Sequence, residues 1–253
     1  MKHLMTYTLA LAAALATSGC ATNSAPTPPV NRYELGDAVT TTFDPATNTV
    51  TVQQGATSVQ MGLNVASANS ATYLLGGGAG PLFTSAVLAR YTPDTGAGRA
   101  TAYYTDDNNG ALAGAYTTRN TPGQMPTAGS AMFAGDYTGF RVDPAGVGQD
   151  WISGDATLNV DFANATIDGV VANRGGLDPY ADLILQTTAL SPDGSFAGAT
   201  SGGNRIAVFN TASPGNYGGF VLEQGGSGLV GAVSLNHSGI FTISTEYGAF
   251  YAQ

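Results

Sequence analysis

Ala156-Thr157-Leu158-Asn159-Val160-Asp161-Phe162 alternates apolar and polar side chains without a break, then runs through Ala163-Asn164-Ala165 into Thr166-Ile167-Asp168-Gly169. Successive side chains of a strand point to opposite faces, so a period of two puts Ala156, Leu158, Val160 and Phe162 on one side. Thr157, Asn159 and Asp161 fall on the other. Asn164 marks a tight turn, and the residues after it start a second strand. A hairpin with one apolar face needs something to cover that face.

Working outward, comparable signals fall at residues 131–140, 181–188, 195–199, 205–210, 217–223, 229–235 and 240–251, with a split expected near Glu246. Together with the opening hairpin these are nine signals, spaced as in an up-and-down barrel of eight strands with one signal in excess. Closure would also spare such glycine-rich strands an exposed edge. Upstream, shorter signals at 49–53, 58–63, 71–75, 85–91, 99–104 and 112–117 are separated by turn-forming residues such as Asp44-Pro45 and Pro93-Asp94-Thr95-Gly96. Asn120-Thr121-Pro122-Gly123-Gln124-Met125-Pro126-Thr127-Ala128-Gly129 carries no apolar pattern and reads as a boundary. After residue 20 no stretch keeps a 3.6-residue period for three turns. The expectation is an all-β chain: a handle-like β domain over 33–120, then an eight-stranded antiparallel soluble β-barrel over 125–253.

The amino end carries an address. Lys2 and His3 precede an apolar run over residues 4–16, and Thr17-Ser18-Gly19 leads to Cys20, the only cysteine. A positive start, a short apolar core and a small-residue exit make residues 1–19 a signal peptide, and the core is too short for a permanent span. Ending at Gly-Cys points to cleavage before Cys20 and acylation of its thiol, palmitate included. Residues 20–32, with Pro26, Pro28 and Pro29, read as a lipid-anchored tether. Ala21 stands where aspartate would favour inner-membrane retention, so the outer membrane is expected, with display on the cell surface open.

Charge and composition exclude several classes of partner. Seventeen acidic residues face eight basic ones, a net charge of −9 at pH 7. The chain lacks the cations that neutralise phosphates, so no nucleic-acid partner is expected. A polybasic grip on anionic lipid is excluded on the same ground. No cofactor and no metal site is expected: once Cys20 is acylated, His237 is the one remaining zinc-type ligand of the mature chain. Asp106-Asp107-Asn108-Asn109-Gly110 has no acidic residue at the first and twelfth positions that a calcium loop needs, and reads as a hairpin tip. Gly76-Gly77-Gly78-Ala79-Gly80 lacks the Lys and Ser/Thr of a phosphate-binding loop.

The second half resembles the barrel of a known family. Met125-Pro126-Thr127-Ala128-Gly129-Ser130-Ala131-Met132-Phe133-Ala134-Gly135 looks like its opening strand, Leu158-Asn159-Val160-Asp161-Phe162 with Thr166-Ile167-Asp168-Gly169 its second hairpin, and Phe196-Ala197-Gly198 a later step. The chain is thereby identified as similar to the transferrin-binding protein B-like surface lipoproteins, including single-lobe, factor H-binding-protein-like members. The resemblance spans roughly residues 125–235. It departs at Tyr217-Gly218-Gly219-Phe220-Val221-Leu222-Glu223, which lacks the family's Gly-Pro step. It implies a handle domain, a soluble barrel, a lipid anchor and a protein or protein-bound nutrient as ligand.

No catalytic residue stands out. His237, in Leu235-Asn236-His237-Ser238-Gly239, reads as an exposed hairpin-turn residue, and no serine occupies a Gly-x-Ser-x-Gly elbow. Trp151, expected in the loop between the first two barrel strands, and Tyr180 are the candidate ligand-binding residues; each could equally be a packing plug. Tyr103, Tyr104, Tyr116 and Tyr217 share that ambiguity. The leading expectation is a non-enzymatic binding or adhesion lipoprotein. Two alternatives stay open. One is a structural envelope protein whose barrel enters the membrane, with Leu158, Val160 and Phe162 toward lipid. The other is a secreted hydrolase.

Overall fold

A computed structural model describes residues 31–44, 46–66, 70–74, 87–91, 98–107, 110–120, 122–145, 148–206, 210–222, 228–239 and 243–253. The signal peptide, Cys20, most of the tether, the Gly76–Gly80 cluster and Asn108-Asn109 lie outside them. All regular structure among the described residues is β: sixteen strands in two units.

The first unit is an antiparallel sheet of β1 (Arg32–Gly36), β2 (Thr40–Asp44), β3 (Thr49–Gln54), β4 (Thr57–Ala66), β5 (Ser70–Leu74), β6 (Val87–Tyr91), β7 (Gly98–Asp107) and β8 (Gly110–Arg119). Its strand order is β1-β8-β7-β6-β5-β4-β3-β2, so β1 returns to pair with the last strand. Alternation decides which residues go where. Ala100, Ala102 and Tyr104 of β7, with Ala113 and Ala115 of β8, face the second unit. Tyr103, Leu112 and Tyr116 face the other way and pack on Val39, Val50, Val52, Val59 and Met61. The sheet therefore curls over itself, and the Tyr116 and Thr41 hydroxyls meet across the curl.

The second unit contains β9 (Ser130–Val142), β10 (Gly148–Asp161), β11 (Thr166–Gly175), β12 (Leu183–Ala189), β13 (Ser195–Gly202), β14 (Asn210–Leu222), β15 (Gly228–Gly239) and β16 (Ile243–Ala252). They form a closed barrel in sequence order, with β16 pairing back onto β9 from Thr245↔Val142 to Ala252↔Gly135. The strand pattern over 156–169 meets its expected register, Asp161↔Thr166 through Asp155↔Ala172. Within the signal at 205–210, Arg205 makes an isolated bridge to Tyr180 and Asn210 begins β14, while residues 207–209 lie outside the described residues.

The lumen is filled with side chains. Phe133, Tyr137, Ile152, Leu158, Val160, Phe196, Tyr217 and Phe250 pack into one buried cluster. Asn159 is exposed on the outer wall and donates to Asp168 at 3.0 Å. A barrel crossing a bilayer needs apolar residues outside and polar ones inside. This one is built the other way round, which overturns the membrane-inserted alternative. Several glycines let this core close up: a Cβ at Gly231 would strike the Phe250 ring.

The two units share a second buried cluster. The alanines of β7 and β8 present a low, nearly flat surface to Phe220, Leu222, Val230, Ala232, Ala249 and Tyr251 on the outer wall of β14–β16. Small side chains let the two sheets approach closely, and polar contacts fix the rim. Gly148 N donates to the Tyr104 hydroxyl at 2.7 Å. Arg119 reaches Asp193 at 2.6 Å with its guanidinium over the Phe220 ring.

Leu158→Ala removes a fully buried lumen side chain and is expected to cost roughly 2–5 kcal/mol in urea unfolding. Asn159→Ala, one residue along on the outer wall, is expected to cost under about 1 kcal/mol. Equal losses at both positions would contradict the inward–outward assignment.

Candidate functional site

Antiparallel pairing brings the ends of β9, β11, β13 and β15, with the described residues 143–145, 176–182 and 203–206 that follow them, to one end of the barrel. Beneath that mouth lies a group of buried polar residues drawn from five strands and one loop. They are Arg141 (β9), Asp150 (β10), Arg174 (β11), Tyr180, His237 (β15) and Glu246 (β16). Arg141, Asp150, His237 and Glu246 fall on the inward parity of their strands, so the period that fills the lumen also places them. Arg174 has the opposite parity to Ile167 and Val171, and it turns inward through the irregularity at Asn173, where φ is positive and the pairing jumps from Asp155↔Ala172 to Ser153↔Gly175.

Glu246, at 0% exposure, is the hub. Its Oε1 accepts from Arg174 Nη2 at 2.5 Å and from the Tyr137 hydroxyl, and its Oε2 lies 2.8 Å from His237 Nε2. Arg174 spends its Nη1 on the carbonyls of Ala181 (3.0 Å) and Gly203 (2.7 Å). One guanidinium thus ties two mouth loops to the barrel interior. Asp150 accepts from Leu177 N and from the Tyr180 hydroxyl, both at 2.8 Å, and pins the first of those loops again. Ile206 N donates to the Pro179 carbonyl at 2.9 Å, joining the loops to each other.

Burial opposes ionisation of Glu246, but the Arg174 charge and then His237 outweigh it and bring the carboxyl down to about 2. Tyr137 moves the other way: burial first, then the Glu246 carboxylate, raise its phenol well above the ordinary range. Burial and the bond to Asp150 likewise raise Tyr180, against the pull of Arg141. The cluster is an ionised, hydrogen-bonded plug. Such a plug is costly to desolvate, so its partners have to be kept in register.

Three expectations need correction. His237 is not an exposed turn residue; it lies within β15, at 1% exposure, and pairs with Ser244. Glu246 does not split the last strand, because β16 runs through it without interruption. Trp151 is not in a loop. It sits in β10, half-buried between the units, donates from Nε1 to Thr138 Oγ1 at 2.7 Å, and stands 6.0 Å from the Phe140 ring. Tyr180 does lie in a mouth loop, but its side chain turns inward to Asp150. Tyr103, Tyr104, Tyr116 and Tyr217 are all buried, with hydroxyls engaged by Asp37, Gly148, Thr41 and Gln186 respectively.

Among the described residues, the mouth exposes three large aliphatic side chains. Leu177, Ile206 and Ile243 are 62%, 63% and 63% exposed on three different connections or strand starts. Asp143, Asp178 and Asp182 lie at the same end, with Arg205 paired to Asp178. Near the opposite end, a shallow groove of about 290 Å³ on the outer wall is lined by Met132, Asn159, Asp161 and Asp168. Its carboxylates are already engaged by Asn164, Asn159 and Thr187. No group of three His, Cys, Asp or Glu spaced for a metal occurs among the described residues.

The depressed Glu246 carboxyl stabilises the fold at every pH above its ordinary value of 4.5, and that contribution is lost as pH falls toward 2. Acid unfolding should therefore steepen over that window, by on the order of 3 kcal/mol. Glu246→Gln should flatten this dependence while lowering stability at pH 7 by about 3–5 kcal/mol, because Arg174 is left buried without its counter-charge. Unfolding followed by tyrosine fluorescence across pH 2–7 reads both.

No family model matches the chain, and no curated protein matches it. Solved structures do. Intact Ap-TbpB, with its N and C lobes, superposes at a TM-score of 0.51 over 88% of this chain and 46% of that one, with 11% identity. A double mutant of the vaccine antigen transferrin-binding protein B from Haemophilus parasuis Hp5 does so at 0.51 over 88% and 44%, with 10% identity. The chain spans less than half the length of each. At these identities the likeness is one of architecture: a curled sheet bearing a closed, core-filled barrel, the transferrin-binding protein B-like fold.

Proposed function

We propose that this chain is a non-enzymatic binding module, held at the outer membrane through acylated Cys20 and displayed on the cell surface, whose ligand is a protein. The observation that carries the reading is the barrel mouth: Leu177, Ile206 and Ile243 are each exposed at the end whose loops are tied by the ionised plug. Exposed aliphatic side chains gathered on a rigid platform are the makings of a protein interface, since they gain from burial and lose little freedom on docking. Asp143 and Asp182 at the same end, with Asp178 already paired to Arg205, favour a partner that carries basic residues beside an apolar patch. The fold shared with transferrin-binding protein B supports a binding role, and the Gly-Cys ending of the leader supports the anchor.

Trp151 and Tyr180 take supporting roles in this reading. Trp151 braces the junction between the units, and Tyr180 braces the loop that carries Leu177. The charged interior is assigned to scaffolding, because each carboxylate oxygen of Asp150 and Glu246 is already committed to a donor.

Intact cells producing the chain should lose it to added protease, and cells producing Cys20→Ser should release it instead. A partner recovered on the unaltered protein from the cells' surroundings should be lost by at least about tenfold with Leu177→Glu or Ile206→Glu, and retained with Met132→Glu at the other end. Equal retention by all three variants would place the interface elsewhere.

A further inference from the structure

One strand of the closed barrel is paired unlike the other seven. β12 meets β13 only in its mouth-side half, Leu183–Leu185 against Thr200–Gly202, and β14 meets it only in the far half, Asn216–Phe220 against Ser195–Ala199. No residue of β13 therefore has ladder partners on both sides, and a single isolated bridge, Phe196↔Leu190, adds a second neighbour. Every other barrel strand contains residues laddered on both sides. The cause lies in the neighbours. In β12, Gln186 and Thr187 stand opposite the single residue Asp168; in β14, Pro214 and Gly215 stand opposite Leu235. Each is a β-bulge, which bends its strand and interrupts pairing, and Pro214 has no N–H to offer a ladder.

Side chains cross the two gaps in place of backbone pairs. Thr188 Oγ1 donates to the Ala197 carbonyl and the Tyr217 hydroxyl to the Gln186 carbonyl, both at 2.6 Å. Gly215 N donates to Thr200 Oγ1 at 3.0 Å. Gly198 makes room for the first two contacts, since a Cβ there would meet the Tyr217 ring and Thr188. At the mouth, β13 runs into Gly202 and Gly203, consecutive residues with φ of 73° and 78°. The connection beyond them is held independently: Gly203 N donates to the Asp182 carbonyl, and Arg174 binds the Gly203 carbonyl.

We infer that β13 is a stave that opens locally, ahead of the rest of the barrel, hinged at Gly202-Gly203 and latched by the Tyr217 hydroxyl. Local opening is cheapest where the fewest backbone bonds must break, and each residue from Ala197 to Gly202 gives up one ladder instead of two. Paired glycines in the left-handed region can absorb the backbone rotation that a hinge needs. Opening converts the ring into a sheet with edges at β12 and β14, while the Gly203–Ile206 connection keeps its own fastenings. This inference does not depend on what the mouth binds.

Residue-resolved amide hydrogen exchange on the full mature chain tests it. Val221 N donates to the Gly194 carbonyl and Gly203 N to that of Asp182, so alternation directs the Gly198 amide into the β14 ladder and the Ser201 amide into the β12 ladder. Both amides are ladder-bonded, and only opening releases them. After correction for intrinsic rates they should exchange at least about tenfold faster than the ladder amides of β9 and β15. Tyr217→Phe keeps the ring and deletes the latch. It should speed exchange at Gly198 by about fivefold, the worth of one hydrogen bond, and leave β9 and β15 unchanged. The unaltered chain decides the matter even where the variant fails to fold. Exchange at Gly198 and Ser201 no faster than in β15 would overturn the stave, and an equal acceleration of every strand by Tyr217→Phe would overturn the latch.

Discussion

The ladder between β16 and β9 closes the ring, and almost everything else in the barrel follows from that closure. With no free edge, the eight strands must divide their side chains strictly into inside and outside, and the lumen must be filled by whichever residues have the inward parity. Leu158, Phe196 and Phe250 meet that demand with apolar volume. Glu246 and Arg141 stand opposite each other on the closing ladder itself and meet it with charge. The ion-paired plug is therefore a product of barrel geometry as much as of its own attractions. Removing one member leaves the others desolvated with nowhere to turn.

The junction between the two units rests on a different device. There the alanines of β7 and β8 keep the surface low, so an outer wall of larger residues on β14–β16 can settle against it. Both faces of β7 and β8 are thereby buried, one by the barrel and one by the curl of their own sheet. Tyr104 and Arg119 finish the rim with polar contacts that also touch the barrel's connections. The sheet and the barrel thus share a dry seam, with directional bonds at its margin.

Much of the architecture was legible because period-two alternation is a local signal. The hairpin at 156–169 declares its register without help, and in the glycine- and proline-rich break at 120–129 no strand occurs among the described residues. The misreadings came where local turn chemistry competed with distant partners. Asn236-His237-Ser238-Gly239 has the composition of a turn, yet the carboxylate that stabilises His237 inside the barrel is nine residues away and across a ladder. Glu246 looked like an interruption because a lone carboxylate in a strand is costly. Arg174, its counter-charge, comes from a strand 72 residues earlier. One clue was available in the alternation of β16, where Glu246 shares the parity of Phe250. Trp151 was misplaced because the 143–150 segment is rich in turn formers although β10 already begins at Gly148.

The way the mouth loops are fastened also shapes how the chain can diverge. Their roots are gripped from within, Leu177 N by Asp150, and Ala181 and Gly203 by Arg174, whereas the outward side chains of Leu177 and Ile206 bear no such duty. Drift under selection is channelled accordingly: the tips can be rewritten residue by residue, and the grip beneath them stays fixed. A lineage under pressure to change what it presents would keep Asp150, Arg174 and Glu246 while its crown varied around them.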